Sequence, residues 1–259
     1  MQALYQFPEG QIVAFALVFL RLIAFVVAWP VFGSASVPVY TKILLALVMS
    51  MVVFPTLSFP NGSNMLMGQE VMAFAAREIF IGLFLGFLMR MIFFAVSVSG
   101  EIMSVSIGIA SAQLYNPAMG GTSNVVEQFQ IWLATLFFLA MDGHHIFISG
   151  LVKSYEVVPL AAQMVNSAGF ATVATSIQAV LVMGLKMAAP VLLAIFLANL
   201  AMGILGRAVP QINVLMTSLS VTISIGFVVM ILAMPMFIGE MSGLIDVMAQ
   251  EFFKEMKVL

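Results

Sequence analysis

The chain has 259 residues, 63% of them hydrophobic and 8% charged, with a formal net charge of -2 from nine basic and eleven acidic side chains. Ordinary soluble domains are about 25% charged, so too few charges are present to clothe this much apolar surface in water. The balance excludes a basic nucleic-acid patch, and the absence of cysteine excludes disulfides, thiolate zinc sites and thiol nucleophiles.

Six apolar stretches follow one another. The first, Gln11 to Pro30, contains Arg21, and no basic region precedes it, so it reads as a span rather than a cleaved signal. The second runs from Val37 to Phe59, with Lys42 near its start. The third, Val71 to Val98, holds Arg77, Glu78 and Arg90. The fourth, Phe129 to Ala140, is interrupted by Asp142, Gly143, His144 and His145 before Ile146 to Val152. The fifth, Ala171 to Met202, contains Lys186 and Pro190. The sixth, Ile212 to Ile238, carries no charge but contains Pro235. Each is of helix length, and none alternates at period two, which excludes an outer-membrane barrel. Pro190 and Pro235 each predict a kink. Gly82 with Gly86 and Gly239 with Gly243 form GxxxG pairs, read either as close helix crossings or as chance in glycine-rich segments.

Between the third and fourth stretches, Gly100 to Gln128 is small-residue rich and weakly apolar. It reads as an irregular element, lining or plugging a pore, or else as a surface loop. At the C-terminus, Met241, Leu244, Ile245, Met248 and Phe252 recur at helical spacing among Glu240, Asp246, Glu251, Lys254 and Glu255, which predicts an amphipathic helix. The expected fold is therefore an all-α membrane protein forming a single domain over residues 1–259. It has about six long apolar helices, an irregular plug-like loop and an amphipathic C-terminal helix.

Arg21, Arg77, Glu78, Arg90, Asp142, Lys186 and Arg207 stand in or beside apolar segments, where an unpaired charge costs about 2.5–3.5 kcal/mol on insertion scales. They form no acidic relay along one helix. They are read as buried structural or inter-subunit charges rather than an ion path, with Glu78, Glu101 and Glu127 as partners for the arginines. The cluster of Asp142, His144 and His145 is read as a turn or helix start, not as a metal site, because no second cluster adds ligands. No nucleophile elbow, phosphate loop or dinucleotide fingerprint occurs, so neither enzymatic activity nor a cofactor is expected. The 22 methionines suit either a deformable seal or ordinary packing.

Four sets of residues in order resemble the FliR family of the flagellar type III export gate. They are Phe19-Leu20-Arg21 through Pro30-Val31-Phe32-Gly33 to Val37-Pro38; Arg77-Glu78 with Gly82, Gly86, Gly100-Glu101 and Asn116-Pro117; Asp142-Gly143-His144-His145 with Ser154-Tyr155 and Pro159; and Ala189-Pro190, Asn199, Gly203 and Arg207-Ala208-Val209-Pro210-Gln211-Ile212-Asn213-Val214. The chain departs from the family's pattern at Leu215-Met216-Thr217, where an aromatic residue and a Gly-Phe-Pro-like turn are usual. The resemblance implies helices arranged as hairpins, in a protein-conducting channel of the bacterial inner membrane at the flagellar basal body. It implies FliP-, FliQ- and FlhB-like partner subunits, unfolded rod, hook and filament proteins as cargo, and no role with nucleic acid. It also implies a pore plug in Ser106, Ile107, Gly108, Ile109, Ala110, Ser111, Ala112, Gln113, Leu114, Tyr115, Asn116 and Pro117. An injectisome export-gate counterpart, or a secondary transporter of a small solute, is the alternative.

Overall fold

The computed structural model describes residues 9–34, 36–57, 71–109, 124–160, 169–209, 211 and 213–256. All regular structure among them is helical: α1 Glu9–Ala28, α2 Val39–Val53 with a 3-10 turn Phe54–Thr56, α3 Val71–Ile107, α4 Val125–Ala140, α5 Gly143–Val157, α6 Gly169–Ala208, α7 Val214–Leu232 and α8 Met234–Met256. Four segments are long and apolar enough to cross a membrane: Gly10–Ala28, Val39–Thr56, Val71–Ile107 and Ser176–Ala208. Counting α4 with α5 and α7 with α8 as broken spans raises the number to six. The protein is an all-α membrane protein, and the apolar stretches located its helices.

The element ends follow local chemistry. Asn124 caps α4 by accepting from the Val126 amide at 3.2 Å, and Asn213 caps α7 by accepting from the Met216 amide at 3.3 Å. α4 stops at Asp142, which has a φ of 55°. The two prolines differ from each other in setting. α6 runs unbroken through Pro190. Pro235 lies in the first turn of α8, where its missing N–H would have had no acceptor in the helix. The bend of 58° falls at the Ala233 junction before it.

Helix α3 is longer than the third apolar stretch, and it corrects the reading of 100–107 as irregular. Gly100 lets α4 approach so closely that a Cβ there would overlap Glu127. The Ser106 hydroxyl donates to its own helix at the Ile102 carbonyl, 2.7 Å away. Small, weakly apolar residues here serve a tight helix crossing, a tertiary need that overrides their low helix propensity. Residues 110–123 lie outside the described residues.

Backbone contacts group the chain into two compact units. The first comprises α1, α2, α3 as far as Met91, α5 and α8 from Met248. In it α1 and α2 pack as a hairpin, Phe15 meets Phe54 edge-on at 5.4 Å, and Lys42 Nζ donates to the Gly33 carbonyl at 2.8 Å. Leu17, Leu22, Phe25, Ile81, Leu85 and Leu151 are buried there. Phe252 of α8 packs against Phe147 of α5 at 5.3 Å.

The second unit comprises α3 from Ile92, α4, α6 from Ala174, α7 and α8 to Val247. Its core joins Met103, Ile107, Val126, Ala188, Val191, Ile195 and Met230. The expected amphipathic face of α8 is the buried one: Met241, Leu244, Ile245, Met248 and Phe252 are all shielded, while Asp246 is exposed.

Candidate functional site

In the first unit, Arg21 of α1 and Glu78 of α3 form an ion pair at 2.5 Å with both side chains wholly buried. The rest of the guanidinium is satisfied by α5 and the turn after it. Nη1 donates to the Ser154 hydroxyl at 3.1 Å, Nη2 donates to the Val158 carbonyl at 3.0 Å, and the Tyr155 ring lies 4.1 Å from Cζ. Tyr155 in turn donates to the Val18 carbonyl at 3.2 Å. The guanidinium is fully engaged, but Glu78 Oε1 is buried without a partner among the described residues, so the pair offsets its desolvation only in part. Gly82, one turn after Glu78, makes the pairing possible: a Cβ at that position would overlap the Arg21 carbonyl. Arg77 is half-buried and donates to the Pro159 carbonyl at 3.1 Å. Three segments are thus cross-linked by charge, with no second carboxylate among the described residues of the cluster to relay a proton.

The remaining charges read as buried are not buried in this chain. Arg90, Asp142, Lys186 and Arg207 are exposed. Arg90, Lys186 and Arg207 stand on helix faces turned to the outside of the fold, where water, lipid headgroups or another subunit can meet them. Glu101 and Glu127 serve helix entry in place of arginines. Glu101 accepts from Asn124 Nδ2 at 2.7 Å, and Glu127, in the first turn of α4, accepts from the Ser97 hydroxyl. A carboxylate in a first helical turn also meets the favourable end of the helix dipole. His144 and His145 lie in the first turn of α5 with their rings 4.1 Å apart.

In the second unit, α3 ends at Gly108, whose φ of 96° is the left-handed turn that glycine allows. Its amide donates back to the carbonyls of Ser104 at 3.1 Å and Val105 at 3.2 Å. Ser106 and Ile107 are therefore helical, Ile107 is fully buried, and Ile109 is partly buried. Ala110, Ser111, Ala112, Gln113, Leu114, Tyr115, Asn116 and Pro117 lie outside the described residues. Sequence reasoning missed Thr222, whose hydroxyl donates to the Ile107 carbonyl at 3.1 Å. A threonine inside an apolar helix gives no signal of its own. Nearby, Met103, Met187, Met230 and Met234 help line a cavity of about 20 Å³, where Gln130 Nε2 donates to the Met103 sulfur at 3.0 Å. That volume holds about one water molecule.

The profile of Bacterial export proteins, family 1, matches residues 12–248. The flagellar biosynthetic protein FliR of Bacillus subtilis (strain 168) is 32% identical over 224 residues, covering 85% of this chain and 86% of the relative. The FliR protein of Escherichia coli (strain K12) is 30% identical over 217 residues, covering 84% and 82%. That of Aquifex aeolicus (strain VF5) is 27% identical over 248 residues, covering 95% and 93%. The matched range takes in the Arg21–Glu78 cross-link, the end of α3 and the α7–α8 bend, and on this evidence the chain belongs to the FliR family of bacterial export proteins.

Proposed function

We propose that this chain is a non-enzymatic subunit of the flagellar type III protein export gate. It assembles in the bacterial inner membrane, at the flagellar basal body, with FliP- and FliQ-like subunits and beside an FlhB-like one. Unfolded rod, hook and filament proteins are the cargo. The observation that carries this reading is the family match over residues 12–248, with relatives named for flagellar biosynthesis. The exposed apolar face of α6, from Ile177 to Leu205, and the exposed Lys186 and Arg207 support it, since both call for cover that the described residues do not supply. No nucleotide-binding motif is present in the sequence, so the energy for export comes from other components.

Of the stretch from Ser106 to Pro117, the part beyond Gly108, where the chain leaves α3, is the plug at rest. Mass spectrometry of tagged chain purified from native membranes tests the assembly. FliP- and FliQ-like proteins are expected in a stable complex. A lone chain, from a preparation that preserves other membrane complexes, would favour a solute transporter and direct attention to Arg21, Asp142 and Lys186. Deleting residues 109–117 is expected to leak small ions through an assembled gate, read as membrane conductance. An assembled deletion variant with parental conductance would remove the plug assignment.

A further inference from the structure

The C-terminal end of α3 rests in a seat built by one face of α7. Leu219, Thr222 and Gly226 stand three and four residues apart, so they share that face. A Cβ on Gly226 would lie 2.5 Å from Ile107 Cγ1 and 2.8 Å from Cδ1, so the missing side chain is the socket that Ile107 fills. A Cβ on Gly108 would lie 2.9 Å from Leu219 Cδ1, so the left-handed turn is pressed against the same face. Between the two, the Thr222 hydroxyl lies 3.1 Å from the Ile107 carbonyl and 3.1 Å from the Leu219 carbonyl of its own helix. The Ile107 carbonyl is among the last four of α3, which have no amide partner one turn on. Thr222 is 5% exposed and Ile107 0%, so water does not supply the missing donor cheaply.

We infer that Thr222 and Gly226 are positioning residues that hold the end of α3 and so fix where the chain leaves it at Gly108. The inference stands on contacts within the second unit. Only its consequence, that loosening the seat opens the resting gate, rests on the export-gate reading. Threonine suits the role because its branched Cβ restricts the rotamer that carries the hydroxyl. Glycine suits the other position because any side chain there must displace a buried isoleucine.

The chain has no cysteine, so a single Ile109→Cys substitution gives a unique thiol one residue beyond the turn. In the purified gate complex, its rate of maleimide labelling reads the exposure of the helix end. Thr222→Val keeps the side-chain shape and removes the donor; labelling is expected to quicken about two- to tenfold, the range that a lost hydrogen bond gives. Thr222→Ser restores the donor and is expected to return the rate to the parental value. Gly226→Ala is expected to quicken labelling too, although alanine strengthens a helix, so a weakened α7 would not explain it. Parental labelling rates in both Thr222→Val and Gly226→Ala complexes would overturn the seat. Membrane conductance of the same variants separates the two readings. Faster labelling with no added conductance keeps the seat and removes its consequence for the gate. Added conductance on deleting 109–117, with unchanged labelling in the point variants, keeps the plug and removes the seat.

Discussion

Arg21 is held by three segments at once: Glu78 of α3, Ser154 and Tyr155 of α5, and the Val158 carbonyl beyond α5. Removing one member of such a pair leaves the other buried and uncompensated, at about 3–5 kcal/mol. Arg21→Met is therefore expected to lower the melting temperature of the detergent-purified chain strongly. The double variant Arg21→Met with Glu78→Leu should recover much of the loss, because no orphan charge remains. Additive losses in the double variant would show that the two side chains do not act as a pair. Arg21→Lys is expected to melt nearer to Arg21→Met than to the parent, since an ammonium cannot reach Glu78, Ser154 and Val158 together. The sequence exposed these charges because each interrupts an apolar run. It did not choose among partners: Arg21 and Glu78 are 57 residues apart, and Glu101 and Glu127 were equally eligible until the fold assigned them to Asn124 and Ser97.

At the scale of elements, two GxxxG pairs that look alike in sequence do different things. Gly82 and Gly86 sit where α3 crosses α1: a Cβ on Gly82 would lie 2.8 Å from Ala24 Cβ, and one on Gly86 would lie 3.1 Å from the Phe25 carbonyl. Gly239 and Gly243 have nothing within 4 Å among the described residues. Gly82→Val is expected to abolish the folded, monodisperse chain on size-exclusion chromatography. Gly239→Ala is expected to leave the melting temperature of the isolated chain unchanged or slightly raised, by the helix propensity gained. A severe defect in both would mean that Gly239 meets something unseen in the single chain.

Helix existence was legible from apolar runs, but helix ends were not wherever a contact rather than composition sets them. The run from Gly100 to Ile107 reads as loop because glycine and serine are weak helix formers, and it is helix because α4 packs on Gly100. Pro235 reads as a kink inside one helix; the 58° bend does fall beside it, but as a break between two helices, with Pro235 in the first turn of the second.

For the whole molecule, the balance of inside and outside is unusual. Many large apolar side chains are more exposed than buried, among them Leu193, Phe196, Leu200 and Ile204 along α6, and Trp132 and Leu136 on α4. On the same surface Lys186 and Arg207 are exposed cations. If their counter-charges lie on other subunits, Lys186→Met and Arg207→Met should reduce recovery of the assembled complex while leaving the melting temperature of the isolated chain within a degree or two. Unchanged recovery would assign these side chains to lipid headgroups or water. The candidate site divides along the same line. Arg21 completes its contacts within the chain, whereas Arg77 and Glu78 keep buried polar atoms without a partner among the described residues, and the plug and the outer cations concern what surrounds the chain, which one sequence does not specify.

Helix α6 has 40 residues, about 60 Å at 1.5 Å per residue, against a hydrocarbon layer of about 30 Å. Its exposed apolar side chains extend from Ile177 to Leu205, about 42 Å, so tilting alone does not hide them in lipid. A newly made copy that finds no partners leaves part of that stripe in water, where chaperones and membrane proteases recognise it. The cellular lifetime of this chain would then be set by its neighbours: abundant when they are made alongside it, and cleared when they are not.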